Sequence, residues 1–462
     1  MAVEGFLQAV SELVGADRFL GEDAVGEELT HDEGLLTEPV VPIGVVFPES
    51  AGEVAELVRL ARVHRVPLTA RGSASGLSGA CVPAPGGLVV SFARMNRILE
   101  IDRENQIAVV EPGVTLDELD AALEPHGLMY PVRPGEQSAS LGGNVSTNAG
   151  GMRAVRFGVT RQNVLGIEVV LGTGELIRSG GKFVKSSSGY DVTQMLIGSE
   201  GTLGLVTEVT LKLQPLLPAS ATVLAPFDTL AEIATAIPEV LRRGLTPTIL
   251  EYIDALTMGV MVENEKLDLN IPDEMRRRAA AYLVAVVDHR SESRVEEDLE
   301  TLASLLTEFG ALDVFVLPPQ AGRGLVLARE RAFYGAKAAG ADEIVDVVVP
   351  RASIAEYLEL AGKLAAEHGS FVAGCGHAGD GNVHLAVFQR DPALRERVLS
   401  ALIGAGVALG GAISGEHGIG TAKSPVFMEL ESPARIALMR RVKDAFDPDG
   451  ILNPDKIFGA ER

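Results

Sequence analysis

The stretch Gly374-Cys375-Gly376-His377-Ala378-Gly379-Asp380-Gly381-Asn382-Val383-His384 cannot be a helix interior, because four of its eleven residues are glycine. Glycine inside a helix costs about 1 kcal/mol relative to alanine. The chain must turn here, and the turn brings two flanking strand ends together. His377 and His384 are seven residues apart. On a helix that separation is roughly 10 Å of rise, too far for both to hold one ion. Across a glycine turn the two imidazoles can converge. A third candidate ligand, Glu416, lies in Gly415-Glu416-His417-Gly418-Ile419-Gly420. Two imidazoles and a carboxylate with open positions are a common catalytic metal set. One histidine in such a turn is usually satisfied by backbone groups. Three of the chain's eight histidines in two glycine-rich loops favour a site. Cys375 could offer a soft ligand, but a small buried residue is the simpler reading.

The chain is long enough, at 462 residues, for two or three domains with a large core. Its formal net charge of −23 argues against a nucleic-acid role, since no basic stripe exists to neutralise phosphates. Two cysteines, Cys81 and Cys375, imply no disulfide framework and suit a reducing cytoplasm. The N-terminus lacks the basic region and apolar run of a signal peptide, and no apolar run approaches membrane-spanning length. A peripheral contact with the inner face of a membrane, and a homodimer, stay compatible with the sequence.

Helical spacing is predicted over 4–15 and over Glu53–Val66, a strand over 40–47, and a short strand over Pro67–Ala70. That strand runs into Arg71-Gly72-Ser73-Ala74-Ser75-Gly76-Leu77-Ser78-Gly79-Ala80. Glycines and small hydroxyl residues let backbone N–H groups approach an anion closely. It is neither a Walker A loop nor a Gly-x-Gly-x-x-Gly fingerprint. A second loop follows the helix Leu116–His126. It runs from Pro131 to Gly151 and is rich in small and amide residues, Asn144 and Asn148 among them. A hairpin is predicted over 164–178, turning at Thr173-Gly174. Ser186–Asp191 then caps a helix that leads to Ile197, and Gly198–Gly204 turns into the strand Leu205–Leu213. Pro215 and Pro218 mark a boundary. From 220 to 440 strands and helices alternate: strands at Thr222–Ala225, Thr248–Tyr252, Ala279–Asp288 and Val314–Leu317, helices at Ala231–Arg243 and Val295–Phe309. Residues 264–278 read as a solvated excursion, and 344–351 as a buried strand carrying Asp346.

The loops Arg71–Ala80, Pro134–Gly151 and Gly189–Gly204, in this order, resemble the flavin domain of the vanillyl-alcohol-oxidase, or PCMH-type, FAD superfamily. With His377–His384, Gly415–Gly420 and the closing Phe446–Ile457 added, the chain is similar to the branch of GlcD-type glycolate oxidases, D-lactate dehydrogenases and D-2-hydroxyglutarate dehydrogenases over about residues 35–460. The resemblance implies an α+β protein: a two-subdomain PCMH-type FAD-binding domain, an α+β cap with an antiparallel sheet, and a C-terminal segment returning to the FAD domain. The expected division is an N-terminal helical segment 1–37, the FAD domain 38–217, the cap with its metal site 218–440, and a C-terminal segment 441–462.

It also implies site residues. FAD, held without a covalent bond because Ser75 stands where some relatives carry a linking histidine, is expected against Arg71, Gly72, Ser73, Ala74, Ser75, Gly76, Leu77 and Ser78. Pro134, Gly135, Ser138, Gly142, Gly143, Asn144, Ser146 and Asn148 are expected to line a second wall, and Glu200, Gly201, Gly204, Leu205 and Val206 the adenine side, with Asn453 close by. Arg329 is expected to meet a substrate carboxylate through its planar fork, with Lys337, Asn382 and His417 beside the substrate. Relatives acting on a dicarboxylate tend to carry a lysine near Ile344 and an asparagine near Ala386. Their absence leans toward a small monocarboxylate.

The expected chemistry is oxidation of a D-2-hydroxy acid, D-lactate or glycolate, to the 2-oxo acid. A divalent metal, zinc by preference, would sit on His377, His384 and Glu416 and acidify the hydroxyl. His417 would act as general base, and FAD would take the hydride. Electrons would then pass to a quinone, a cytochrome or an electron-transfer flavoprotein. Four other readings stay open: a D-2-hydroxyglutarate dehydrogenase, an oxidase of sugar acids, a flavin-free metal hydrolase using the His/Asp/Glu cluster, and a non-catalytic flavin-binding subunit.

Overall fold

A computed structural model describes residues 2–459; Met1 and the last three residues of the predicted C-terminal segment lie outside them. The N-terminal half contains two larger sheets. In the first, Gly44–Val46, Leu88–Ser91 and Leu68–Arg71 run parallel, with Phe19–Gly21 antiparallel at the edge. The helices Ala2–Val14 and Ala51–His64 pack their apolar stripes on it, burying Phe6, Val10, Leu57 and Val58. The strand expected over 40–47 is narrower, Gly44–Val46. Pro39 and Pro42 lack the N–H that a ladder needs. The second sheet is antiparallel, in the order Ile98–Asp102, Ile107–Val110, Leu205–Lys212, Val164–Val170, Leu176–Gly180. The helix Leu116–Leu123 covers it, opened by a capping box of Thr115 and Glu118.

The C-terminal half is organised around a seven-stranded antiparallel sheet. Its order is Phe315–Leu317, Ala219–Phe227, Ala281–His289, Ile249–Asp254, Phe371–His377, Asn382–Phe388, Glu343–Val348. The helices Leu230–Arg242, Glu292–Glu308, Ile354–Glu367 and Pro392–Ala408 bury one face. The helices Ala255–Asn264 and Pro319–Glu330 contribute to the core on the other face. The segment 264–278 is less open than its composition suggests: Leu269 and Ile271 are buried and Asp273–Arg278 is helical. Its three arginines stay exposed, as expected of surface charge.

The chain end returns to the first sheet. Leu68 N–H donates to the Ile451 carbonyl at 2.8 Å, and Asn453 N–H donates to the Leu68 carbonyl at 2.7 Å. Asn453 Nδ2 reaches the carbonyls of Ala80 and Glu200, tying two of the glycine-rich loops to the C-terminal segment.

The glycine-rich stretch forms the hairpin Phe371–His377/Asn382–Phe388, turning through 378–381. The glycines are there for close approach. A Cβ at Gly374 would overlap the His384 carbonyl oxygen, and one at Gly376 would crowd the Asn382 carbonyl and the Tyr252 ring. Gly374→Ala is therefore expected to cost about 2 kcal/mol or more, seen as a lower urea midpoint. An unchanged midpoint would show that the hairpin has slack.

Candidate active site

Strand register assembles the site. Side chains of one sheet face recur every second residue, and partners across strands form rows. One row sets Ile253 beside Cys375, Cys375 beside His384, and His384 beside Asp346. The next row sets His377 beside Asn382. The same register continues to Glu251, whose carboxylate meets His377 Nδ1 at 2.7 Å. The loop after Ala412 then lays Glu416 and His417 over these rows.

Three of the expected ligands converge. Glu416 Oε1 lies 3.2 Å from His377 Nε2 and 3.2 Å from His384 Nε2. The ligand atoms of His377, His384 and Glu416 fall within 4.8 Å of one another, and so do those of Asp346, His384 and His417. His384 uses a different nitrogen toward each group: Nε2 toward Glu416 and Nδ1 toward Asp346, at 3.8 Å. Its ring stacks on that of His417, with centroids 5.2 Å apart.

Two carboxylates that were not assigned a role from the sequence support this set. Glu251, 0% exposed, bridges His377 and Arg329. Asp346, 1% exposed, collects the Ser414 hydroxyl at 2.6 Å and the N–H groups of Gly415, Glu416 and His417 at 3.2, 3.2 and 2.9 Å on one oxygen, Oδ2. Lys423 Nζ adds a contact at 3.3 Å. The available signal was an acidic residue within a strand otherwise made of apolar residues, as in Ile249-Leu250-Glu251-Tyr252-Ile253 and Ile344-Val345-Asp346-Val347-Val348. From the other side, Glu200 accepts the Ile419 and Gly420 N–H groups at 2.8 and 2.7 Å. Ser78 donates its hydroxyl to the His417 carbonyl at 2.9 Å. The loop that carries Glu416 and His417 is thus clamped by both halves of the molecule.

Electrostatics separate the histidines. Burial opposes the charge on His377, but the Glu251 and Glu416 carboxylates outweigh it and raise its pKa well above the usual value. For His417 burial dominates, helped by Lys423 and His384 and opposed by Asp346, and its pKa falls to about 4. His417 is therefore a neutral imidazole at pH 7. Burial also drives the Cys375 thiol up to about 11, which leaves it unreactive.

Arg329 closes the helix Pro319–Glu330 on its buried stripe and is 7% exposed. Its Nη2 lies 2.8 Å from Glu251 Oε2, but the pair is not aligned as a hydrogen bond. Nη2 is thus ion-paired with Glu251 without a hydrogen bond, and Nε is buried with no acceptor.

One cleft runs from these groups to the glycine-rich loops. It is lined by Arg71, Gly72, Ser73, Ala74, Ser75, Gly76 and Leu77, by Pro134, Gly135, Gly142, Gly143, Asn144 and Ser146, and by Glu200, Gly201, Gly204, Leu205, Val206 and Asn453. It ends at Arg329, His377, His384, Glu416 and His417. The loops fit a long anionic ligand. The amides of residues 74–77 donate to no acceptor among the described residues, and Asn144 Nδ2 is buried without a partner. A Cβ at Gly72 would overlap Ser140, so the loop walls pack directly on each other.

The remaining expected site residues lie off the cleft. Ser78 braces the 417–422 loop instead. Ser138 is exposed and accepts the Ser73 hydroxyl on its carbonyl at 2.6 Å. Asn148 takes a left-handed conformation to end a helix, and its Oδ1 accepts the Arg161 N–H at 3.0 Å. Lys337 is 47% exposed and pairs with Glu33 at 2.8 Å, so it does not line the substrate end. Asn382 is buried behind His377 against Gly415 and does not line the cleft. Within the cleft, Arg71 spends its guanidinium on the carbonyls of His31 and Glu28, and Glu200 spends its carboxylate on the loop amides.

Two family models cover most of the chain: an FAD binding domain over residues 42–180, and the C-terminal domain of FAD linked oxidases over residues 216–457. An uncharacterised FAD-linked oxidoreductase of Mycobacterium tuberculosis is 52% identical, across 97% of this chain and 98% of its own length. A D-lactate dehydrogenase of Anaerostipes hadrus is 37% identical, across 96% of this chain and 95% of its own. Among solved structures, p-cresol methylhydroxylase with substrate bound superposes with a TM-score of 0.82 at 18% identity, across 99% of this chain and 97% of that one. That likeness concerns the fold. The chain belongs to the FAD-linked oxidases, within the branch of D-lactate, glycolate and D-2-hydroxyglutarate dehydrogenases. It is an FAD-linked oxidoreductase with a PCMH-type FAD-binding fold.

Asp346→Ala would leave a set of buried donors without their acceptor and should destabilise the protein by about 3 kcal/mol at pH 7. Burial opposes the Asp346 charge, but His417, Lys423 and His384 hold its pKa well below the usual carboxylate range. A depressed folded pKa means that the contribution is full above the unfolded value and is lost as pH falls below it. The urea-denaturation gap between wild type and variant should therefore shrink below about pH 4. A gap that widens with acid would contradict the assignment.

Proposed function

We propose that the protein is an FAD-dependent D-2-hydroxyacid dehydrogenase that uses a divalent cation, with D-lactate and glycolate as the small acids first expected. The observation that carries the reading is the convergence of His377 Nε2 and His384 Nε2 on one Glu416 oxygen, in a cleft that Arg329 and a neutral histidine also line.

Each residue then has a task. Arg329, which lines this end of the cleft, would meet the substrate carboxylate with its guanidinium, a planar match that a lysine would not give. His377, His384 and Glu416 would hold the cation, which would supply a Lewis acid at the substrate hydroxyl. Zinc suits a site that needs no redox change at the metal, and manganese or iron would accept the same ligands. Glu251 orients His377 through Nδ1 and so leaves Nε2 for the cation. His417 has Nδ1 turned toward Asp346 at 3.8 Å, leaving Nε2 to take the hydroxyl proton. FAD would be held without a covalent link along the amides of residues 72–77 and would supply the two-electron acceptor. A quinone, a cytochrome or an electron-transfer flavoprotein would take the electrons onward. Among the described residues no helix is long and apolar enough to cross a membrane.

His384→Ala should lose most of its bound cation by elemental analysis while retaining the flavin absorbance. Full cation occupancy would remove His384 from the ligand set. His417→Ala should bind cation and flavin normally but slow reduction by D-lactate on the order of a hundredfold or more. Reduction at the wild-type rate would end its role as the base.

A further inference from the structure

The short helix Ala332–Ala338 borders the cleft, yet none of its seven residues is buried. It follows a break at Arg331, where ψ rises to 9°, and it is followed by Gly340 at a left-handed φ of 85°. Its packing is against the helix Ala255–Asn264. An element with so little burial opens far more readily than the core does, and the two irregular joints give it hinges.

The same helix is tied to both glycine-rich walls. Ala332, Phe333, Tyr334 and Ala336 line the cleft. Tyr334 donates its hydroxyl to Glu136 Oε2 at 2.7 Å, in the second loop. Lys337 Nζ pairs with Glu33 Oε2 at 2.8 Å, and the Glu33 N–H donates to the Gly76 carbonyl at 3.0 Å, in the first loop. Phe333 braces both side chains. Its ring meets Tyr334 edge-on with centroids 5.3 Å apart, and Lys337 Nζ lies 5.8 Å from its centroid. The amides of residues 74–77 and Asn144 Nδ2, the donors without acceptors, belong to the two loops that this helix joins.

We propose that Ala332–Ala338 is a latch on the flavin cleft. Closed, it holds Glu136 and Glu33 and retains FAD. Open, it parts from both and lets the cofactor enter or leave. The proposal concerns cofactor exchange and does not depend on which acid the protein oxidises. The contacts suit a latch because both are weak enough to break. Lys337 and Glu33 are 47% and 40% exposed. An exposed ion pair of this kind slows opening by about threefold. The hydrogen bond to a carboxylate adds a similar factor, so the two together are worth about tenfold.

The test is the release of radiolabelled FAD from the holoprotein during a chase with unlabelled FAD, which is read without turnover. The double variant Tyr334→Phe/Lys337→Met should release FAD about tenfold faster than wild type, with each single variant in between. Added salt should speed release from wild type by screening the Lys337–Glu33 pair, and should do little to Lys337→Met. Lys337→Glu and Glu33→Lys should each speed release, and the two combined should return it toward the wild-type rate. Thermal midpoints of the apoproteins should match, because no buried side chain is changed. Wild-type release from the double variant, or no rescue by the combined charge reversal, would overturn the latch. Faster release that merely tracks a lowered apoprotein midpoint would assign these residues to folding and overturn it too.

Discussion

The active region depends on two carboxylates buried inside a β-sheet, Glu251 and Asp346. Isolated in a protein interior, each would take up a proton rather than stay ionised. Both are held by partners, delivered to Glu251 by the sheet register and to Asp346 by the loop that follows Ala412. Glu251 faces His377 and Arg329, and Asp346 gathers three backbone amides, a hydroxyl and Lys423. Removing a carboxylate would therefore disturb stability and function together, since the groups that satisfy it also orient the histidines and the arginine.

The placement of the site at the meeting of the two halves follows from a single loop. Residues 414–422 leave the large sheet beside Asp346 and are caught on the other side by Glu200 and Ser78. The glycine-rich loops of the N-terminal half then face Glu416 and His417 across one cleft. The C-terminal segment reinforces this by pairing with the strand Leu68–Arg71 that feeds the first of those loops. A ligand lying along the cleft touches both halves.

Much of this was legible in the sequence for particular reasons. Glycine spacing announced the hairpin, because four glycines near two histidines permit few other folds. Apolar periodicity announced the main helices and strands, and the order of the loops announced the PCMH-type fold. The convergence of His377, His384 and Glu416 was expected from the same glycine loops. What stayed hidden depends on register. Nothing in the local sequence of Glu251 or Asp346 says which strand lies beside it, so their partners were beyond reach. The same limit misplaced Lys337, which proximity to Arg329 in sequence made attractive but whose helix turns it toward Glu33. Asn382 has the right strand parity, yet it stands beside His377, buried against Gly415 and out of the cleft.

The central claim is that this cleft oxidises D-2-hydroxy acids with a bound flavin. The most direct test is the visible spectrum of the purified protein before and after anaerobic addition of D-lactate, with L-lactate as the control. The account predicts a yellow protein that bleaches with the D isomer and not with the L isomer. A protein that stays colourless after FAD is supplied, or a flavin that bleaches equally with both isomers, would contradict it.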